Sequence, residues 1–358
     1  MKPTQQLHEL GQSLWVDNIT RTMLDDGTLK RYVDEFSITG LTSNPTIFDK
    51  AISSGDAYDE QIAELREKGM GPEDIFFELA LADVTRAAKM FAQIHKDTDR
   101  MDGWVSLEVS PVFAYDTQAT TQQAADLHGR AEENNFIKIP GTPEGLPAIE
   151  ESIFAGVPIN VTLLMSTDQT MAAADAYMKG IERRIEDGLD PDVPSVLSLF
   201  ISRWDVAVHD DVPDEIKNTL GVAVGKATYK AWMEMRESER WKGLEEKGAR
   251  LQRLLFASTG TKDEKASDTL YIEAFAAPDT INTMPDKTLH AFADHGKVGD
   301  PLPADGGDCE EIFKVHQDAG IDTDALALKL QKDGADAFVK SWNELLETIK
   351  SESERLVA

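Results

Sequence analysis

Short apolar runs alternate with longer segments of helical periodicity along most of the chain, and each pattern predicts one kind of element. Eight of the runs have the length of strands and are mostly bounded by turn-forming residues. The predicted strands cover residues 14–17, 37–42, 104–109, 136–139, 159–164, 196–202, 254–258 and 269–274. Strands that alternate with helices pair most economically in parallel through right-handed crossovers, so the pattern predicts an α/β protein.

The segments between the predicted strands have helical patterns, and the chain ends in further helices. The predicted helices cover residues 20–36, 117–133, 143–154, 166–187 and 213–247, with a longer helical region at 45–95 that a Gly-Met-Gly-Pro sequence interrupts. Eight strand–helix units predict a closed (β/α)8 TIM barrel. We expect one domain over residues 1–358, with barrel strands at about 14–275 and a C-terminal helical appendage at about 285–358.

An open, doubly wound sheet is the alternative architecture for the same alternation of strands and helices. That fold commonly binds nucleotides through glycine-rich loops. The sequence has no Gly-x-Gly-x-x-Gly after its first predicted strand and no Gly-x-x-x-x-Gly-Lys-Ser/Thr. Motifs therefore give the nucleotide-binding alternative no support.

One predicted strand, 136–139, carries a lysine at an interior position. Alternation places Lys138 on the same face as Phe136, with Ile137 and Ile139 on the opposite face. Burial disfavours the charged amine and lowers its pKa, and a neutral amine attacks carbonyl groups. We hypothesise that Lys138 forms a Schiff base with a keto substrate. The alternative is a lysine that reaches solvent along its aliphatic stem or pairs with a carboxylate.

Polar side chains lie near the C-terminal ends of four predicted strands, on the face that would point into a barrel. They are Asp17 on the first strand, Ser106, Glu108 and Ser110 on the third, Lys138 on the fourth, and Asn160 and Thr162 on the fifth. Barrel active sites lie at this end of the strands, so we predict a polar cluster in the barrel mouth.

Each of these polar residues also has a structural explanation. Asp17 could cap the helix that begins near Thr20, and Glu108 could be the ion-pair partner of Lys138. The remaining candidates could satisfy backbone groups, at strand ends for Asn160 and Thr162 and as a turn and cap residue for Asn44.

Hydroxyl and cationic side chains end the sixth and seventh predicted strands. Ser198 and Arg203 belong to the sixth strand and its loop, and Ser258 and Lys262 to the seventh. Hydroxyls, backbone amides and Arg or Lys side chains in neighbouring loops are typical of phosphate sites, which barrels often build near their last strands. The alternatives are surface ion pairs, of Arg203 with Asp205 and of Lys262 with Asp263.

Composition narrows the possible partners of this site. The 358 residues carry a formal net charge of −29, which repels nucleic acid and anionic membranes, so we expect neither as a partner. The single cysteine, Cys309, excludes an intrachain disulfide framework and a Cys-based zinc site. The polar N-terminus lacks the apolar core of a signal peptide, and no apolar run approaches about 20 residues, so we expect a cytoplasmic protein.

Five of these segments together resemble the transaldolase family, in that family's order. They are Trp15-Val16-Asp17-Asn18, Thr42-Ser43-Asn44-Pro45-Thr46, Ser106-Leu107-Glu108-Val109-Ser110-Pro111, Ile137-Lys138-Ile139-Pro140 and Ile159-Asn160-Val161-Thr162-Leu163-Leu164. The resemblance covers residues 14–275. It implies an enzyme of the pentose phosphate pathway that moves a dihydroxyacetone unit from sedoheptulose 7-phosphate or fructose 6-phosphate to glyceraldehyde 3-phosphate or erythrose 4-phosphate.

The resemblance also implies a role for each site residue and requires no metal or organic cofactor. Lys138 forms the Schiff base, Asp17 is the general base, Glu108 with Thr162 positions a water, Asn44 and Asn160 hold substrate hydroxyls, and Ser198 and Arg203 bind the phosphate. Some family members carry an arginine just after the seventh strand, where this chain has Ser258 to Lys262. We expect Lys262 to take that role.

Two other functions remain open from the sequence. The first is a Schiff-base aldolase that releases free dihydroxyacetone instead of transferring it. The second is a catalytically silent barrel that binds sugar phosphates. The chain could be a monomer or a homodimer, and the C-terminal helices could cover the barrel mouth or form an interface.

Overall fold

Eight parallel strands form the centre of the protein, whose computed structural model describes residues 1–356. The strands are β1 (Ser13–Asp17), β2 (Ile38–Thr42), β3 (Val105–Glu108), β4 (Asn135–Pro140), β5 (Ile159–Leu164), β6 (Ser195–Phe200), β7 (Arg253–Ala257) and β8 (Ile281–Met284). Their order is β2-β1-β8-β7-β6-β5-β4-β3, and every pairing is parallel. The α/β barrel predicted from the sequence is confirmed.

Within residues 1–356, one α-helix precedes the strands and fifteen others connect or follow them. They are α1 (Pro3–Glu9), α2 (Arg21–Asp25), α3 (Thr28–Phe36), α4 (Pro45–Ser53), α5 (Asp59–Glu67), α6 (Pro72–Asp97), α7 (Thr117–Arg130), α8 (Gly145–Phe154), α9 (Thr167–Glu186), α10 (Ser202–Val208), α11 (Leu220–Arg236), α12 (Glu239–Glu245), α13 (Leu270–Ala274), α14 (Asp286–His295), α15 (Cys309–Asp318) and α16 (Thr323–Arg355). Short 3-10 turns occur at Pro111–Phe113 and Asp214–Ile216.

A close approach of backbone to backbone closes the ring between β2 and β3. Gly40 forms a parallel bridge with Trp104, and Leu41 N donates to Trp104 O at 3.0 Å. A Cβ on Gly40 would lie 2.7 Å from Trp104 O and from the Trp15 ring. Only glycine therefore allows the two strands to meet at this point.

The eighth strand lies at a different place from the prediction. Residues 269–274 were expected to form it, but they contain the helix α13, and the true β8 is Ile281–Met284. A short run rich in Thr, Tyr and Ile does not separate strand from helix by periodicity. The barrel strands therefore extend to Met284, and α14 follows β8 as a barrel helix that packs on α1 and β1.

Several predicted helices are divided in the structure. The segment 20–36 forms α2 and α3, because Gly27 between them has a left-handed φ of 79°. The region 45–95 forms three helices, α4, α5 and α6, and 213–247 forms a 3-10 turn followed by α11 and α12. Ser238 caps α12 by accepting from Trp241 N, which ends the continuous helical register.

An aromatic layer fills the barrel interior beneath the mouth. Trp104 stacks on Phe136 with ring centroids 4.1 Å apart, and Trp15 lies 6.3 Å from Phe136. Two residues further along the same strands stand Asp17 and Lys138. The alternation that buries the rings therefore directs the acid and the amine into the barrel above them.

The last helix lies against the C-terminal end of the barrel. α16 packs on α4, α5, α6, β5 and the 3-10 turn at Pro111–Phe113. Thr46 Oγ1 donates to Ser341 Oγ at 2.8 Å, and the Trp342 ring packs edge-on against Phe76. α16 therefore lies at the ends of β4 and β5, the place expected of a helix that covers the barrel mouth.

Candidate active site

Lys138 lies in the barrel with 5% of its surface exposed, at the same level as a carboxylate on the neighbouring strand. Its Nζ is 3.1 Å from Glu108 Oε2 and donates to Ser43 O at 3.0 Å. The parallel register aligns Glu108 with Lys138 and Lys138 with Asn160. The ion pair that the sequence offered as the structural alternative for Glu108 and Lys138 is therefore present, within the polar cluster.

Asp17 ends β1 and faces the same interior. Thr42 Oγ1 donates to Asp17 Oδ1 at 2.7 Å, so Thr42 accepts from Thr283 Oγ1 at 2.8 Å. The helix that follows is capped by Thr20, whose hydroxyl accepts from Met23 N. The capping explanation for Asp17 is therefore wrong, and its carboxylate belongs to the barrel mouth.

A chain of side-chain hydrogen bonds crosses three strands beside the lysine. Asn160 Nδ2 donates to Ser106 Oγ at 3.2 Å, and Ser198 Oγ donates to Asn160 Oδ1 at 2.7 Å. Neither end of the Asn160 amide binds backbone of the described residues 1–356, so the explanation that it satisfies backbone groups is wrong. Ser198 is buried in this chain, whereas the sequence had grouped it with Arg203.

Several buried oxygens in the mouth lack a hydrogen-bond partner among residues 1–356. They are Thr162 Oγ1, Ser110 Oγ and both oxygens of Glu108, for which the Lys138 ammonium is the ion-pair contact. Buried polar atoms in a folded protein are nearly always hydrogen-bonded. Unpartnered oxygens at the same end of the barrel as a buried amine therefore indicate groups that bind or act on another molecule.

Burial sets the electrostatics of the two carboxyl groups. It raises the pKa of Glu108 and of Asp17 above their ordinary values, and the nearby Lys138 charge opposes this shift in both. The carboxyl of Asp286 adds to the increase at Asp17, while Thr42 and Lys262 lower that pKa. Raised carboxyl pKa values bring acid–base exchange closer to neutral pH.

Arg203 is one candidate for binding the phosphate of a substrate. Its guanidinium lies over the Phe200 ring at 5.2 Å and near the Phe338 ring of α16 at 5.9 Å. No carboxylate forms an ion pair with it in the part of the chain that the structure describes. Asp205 instead accepts from Leu220 N, Gly221 N and Tyr271 OH, so the expected Arg203–Asp205 alternative is wrong.

The loop after β7 brings hydroxyls and a lysine to the same end of the barrel. Ser258, with a left-handed φ of 55°, shares a 2.8 Å hydrogen bond with Ser202 at the start of α10. The Lys262 amine lies beside Gly260, because its Nζ is 3.7 Å from the position that a Cβ on Gly260 would occupy. Asp263 accepts from Asn218 rather than from Lys262, which removes the ion-pair alternative for this lysine.

The structural explanation also holds for Asn44. Its Oδ1 accepts from Ile47 N at 3.1 Å and caps α4. The amide nitrogen forms no hydrogen bond with any described residue and remains able to donate. The cap fixes the side chain at the end of β2, beside the carbonyl of Ser43 that holds Lys138.

The sequence did not identify several residues that complete the site. Thr42 and Thr283 support Asp17, and Asp286 accepts from Asn18 Nδ2 at 2.6 Å and from Tyr32 OH at 2.8 Å. Thr283 and Asp286 were missed because the eighth strand had been placed too early in the chain. The correct strand, Ile281–Met284, would have shown both at its C-terminal end.

The arrangement suits chemistry at a carbonyl. An amine, two carboxyls of raised pKa and an unpartnered hydroxyl meet at one end of the barrel, with an unpaired guanidinium nearby. Among residues 1–356, no group of three or more His, Cys, Asp or Glu side chains could hold a metal ion. No helix of the same residues is long and apolar enough to cross a membrane.

Comparison with known proteins gives matches over nearly the whole chain. A family described as Transaldolase/Fructose-6-phosphate aldolase matches residues 14–349. The transaldolase of Saccharopolyspora erythraea is 38% identical over 98% of this chain and 98% of its own length. Transaldolase 2 of Streptomyces coelicolor is 38% identical, with 98% and 97% covered. The transaldolase of Renibacterium salmoninarum is 39% identical, with 97% and 96% covered.

Proposed function

The chain belongs to the transaldolase/fructose-6-phosphate aldolase family and has the activity of a transaldolase, and we propose that Lys138 carries its Schiff base. The enzyme is a transferase that moves a dihydroxyacetone unit between sugar phosphates. One observation carries the assignment of Lys138 above all: a buried lysine stands 3.1 Å from a carboxylate whose oxygens have no other donor among residues 1–356.

The reaction begins with the amine of Lys138. Glu108, in contact with Nζ, takes up the proton that the ammonium must lose before it attacks the C2 carbonyl of the ketose phosphate. A new C–N bond forms, and the carbinolamine then loses water to give a protonated imine. Glu108 supplies the proton for that departing water, and Thr162 binds the water through its free hydroxyl.

Asp17 performs the proton transfer of carbon–carbon cleavage. Its carboxylate takes the proton of the C4 hydroxyl while the C3–C4 bond breaks, and the bonding electrons move into the imine to form an enamine on Lys138. The aldose phosphate leaves as an aldehyde. In the second half-reaction the enamine attacks the aldehyde of the acceptor, Asp17 returns the proton, and water hydrolyses the imine.

Amides and cations orient the substrate for these steps. Asn160, held by Ser106 and Ser198, and Asn44, held by its capping bond, donate to the hydroxyls of the dihydroxyacetone unit. Arg203 binds the phosphate, assisted by Lys262 and the Ser258 hydroxyl. We assign Ser198 to holding Asn160 as its main role, because its hydroxyl already donates to that amide.

The substrates that we propose are sedoheptulose 7-phosphate and fructose 6-phosphate as donors, with glyceraldehyde 3-phosphate and erythrose 4-phosphate as acceptors. These are metabolites of the cytoplasm, where we place the enzyme. Fractionation of source cells would test this, and activity that sediments with membranes would contradict it.

An acceptor-dependence assay tests the proposed function. The purified protein is supplied with fructose 6-phosphate, with or without erythrose 4-phosphate, and sedoheptulose 7-phosphate and free dihydroxyacetone are measured. We expect sedoheptulose 7-phosphate only when the acceptor is present, with little free dihydroxyacetone. Dihydroxyacetone release at a similar rate without acceptor would identify an aldolase, and binding without turnover would identify a silent barrel.

A further inference from the structure

A buried amide of the C-terminal helix reaches the ends of two barrel strands. Gln331 of α16 is only 6% exposed, and its Nε2 donates to Gly141 O at 2.9 Å and to Leu163 O at 3.0 Å. Gly141 directly follows β4, three residues after Lys138, and Leu163 directly follows Thr162. Both hydrogens of this one amide are thus used to join the two strands that carry the proposed catalytic groups.

The end of β5 has an irregular backbone at this point. Leu163 has a φ of 58°, in the left-handed region that a leucine rarely adopts, and the pairing of β5 with β6 shifts register between Val161 and Leu164. Thr162 O accepts from Gly141 N at 2.7 Å. A strained conformation persists only where surrounding contacts hold it, and Gln331 supplies one such contact at Leu163 O while its second hydrogen bond ties it to Gly141 O.

We propose that Gln331 is a positioning residue for the reaction: its amide holds the irregular end of β5 against β4 so that the Thr162 hydroxyl stays in the barrel mouth. The inference rests on the proposed function, because it assigns Gln331 to the Schiff-base step. Without the amide, Leu163 relaxes toward an extended conformation, and a change of backbone direction there moves Thr162 relative to Lys138.

Other contacts hold α16 in place independently of Gln331. Thr46 binds Ser341 at 2.8 Å, Asp49 accepts from Thr348 at 2.8 Å, and Trp342 is buried. These anchors lie ten or more residues further along the helix. Loss of the Gln331 amide should therefore alter the strand ends without detaching the helix.

The Gln331→Met variant tests this role, because methionine keeps the length of the side chain and cannot donate a hydrogen bond. Lys332→Met is the matched control, since Lys332 is the adjacent residue and its side chain is 70% exposed. Each protein is mixed with fructose 6-phosphate, sodium borohydride is added at successive times, and the reduced adduct on Lys138 is quantified by mass spectrometry.

For Gln331→Met we expect the adduct to form about 10- to 100-fold more slowly, as a small misplacement of catalytic groups produces, while the final adduct still reaches nearly every chain. The kcat should fall by a similar factor, with little change in KM. The control should behave as the wild type does. A parallel thermal melt reports how much of each variant is folded.

Three results would overturn the inference. The first is a wild-type rate of adduct formation in Gln331→Met. The second is a smaller final adduct at an unchanged rate, which would mean that the amide only supports folding. The third is an equal slowing in Lys332→Met. A wild-type protein that forms no adduct on Lys138 would instead contradict the proposed function, so the two failures are distinguishable.

Discussion

Each end of the barrel buries a cationic side chain, and the two cations differ in their hydrogen-bond partners. At the N-terminal end, Arg253 of β7 donates to Asp279 O, Met101 O, Ser13 Oγ and Thr280 O at 2.6 to 3.1 Å. Each of the three guanidinium nitrogens donates to at least one oxygen. The arginine thus ties β1, β7 and the loop before β8 together.

At the C-terminal end, Lys138 has one backbone acceptor and one carboxylate. The oxygens of Glu108 and the Thr162 hydroxyl at this end have no hydrogen-bond partner among residues 1–356. A buried charge whose partners are complete stabilises the fold, whereas one beside unpartnered polar atoms can bind and react. Burial alone therefore does not mark a functional residue. A functional residue is distinguished by unpartnered polar atoms beside its buried charge.

Replacing each cation by methionine should separate the two roles. Lys138→Met removes the amine that forms the Schiff base, so we expect kcat to fall by about 10⁴-fold or more while the fold persists. Activity in the acceptor-dependent assay and circular dichroism measure the two properties. Turnover within about tenfold of the wild type would show that another group forms the covalent intermediate.

Arg253→Met should have the opposite profile. Loss of the guanidinium leaves three carbonyl oxygens, one in a buried contact and two in part-buried contacts, without this donor, so we expect the free energy of unfolding to fall by about 3 kcal/mol. Urea denaturation measures the change. The kcat, normalised to the amount of Lys138 that borohydride traps as adduct, should stay close to the wild-type value. A loss of kcat without a loss of stability would contradict the contrast between the two ends.

Arg203→Met tests whether the unpaired cation of the mouth binds substrate. Loss of a charge-assisted contact to phosphate should raise KM for fructose 6-phosphate by about 10- to 100-fold, with a smaller effect on kcat. Unphosphorylated fructose is the control donor, and its KM should not change. Equal increases for both donors would assign Arg203 to packing against Phe200 and Phe338 rather than to phosphate.

Asp286→Asn should produce the smallest change, a shift in the pH profile. The negative charge of Asp286 contributes to the raised pKa of Asp17, which Lys138 and Lys262 oppose. A general base acts when ionised, so a lower pKa extends activity to lower pH. We therefore expect the acidic limb of kcat/KM to move to lower pH in this variant.

The matched control for that shift is Asp294→Asn, on the same helix with its carboxylate 87% exposed. Its profile should coincide with that of the wild type. An acidic limb that moves to higher pH in Asp286→Asn would contradict the sign of the interaction between Asp286 and Asp17. Equal shifts in both variants would mean that the shift comes from the change in net charge rather than from this interaction.

The sequence predicted the parts of the site that depend on strand alternation. Lys138 and Glu108 each lie on a regular strand, so a period of two was enough to direct both inward, and the structure confirms their contact. It also predicted which end of the barrel would gather them. The register between strands and the geometry of hydrogen bonds could not be predicted, because they depend on contacts distant in sequence.

Two features illustrate that limit. The segment 281–284 is short and half polar, so its pattern was weaker than that of 269–274, and Thr283 was missed with it. Gln331 lies in an amphipathic helix, 190 residues from its acceptor Gly141 and 168 residues from its acceptor Leu163. Nothing in the local pattern distinguishes it from other polar residues of the helix.

Borohydride reduction in the presence of fructose 6-phosphate, followed by peptide mass spectrometry, tests the central claim most directly. We expect a reduced dihydroxyacetone adduct on Lys138 and none on the exposed lysines of the surface. An adduct on another lysine, or none in a protein that binds the sugar, would contradict the assignment of the reacting site to the C-terminal end of the barrel.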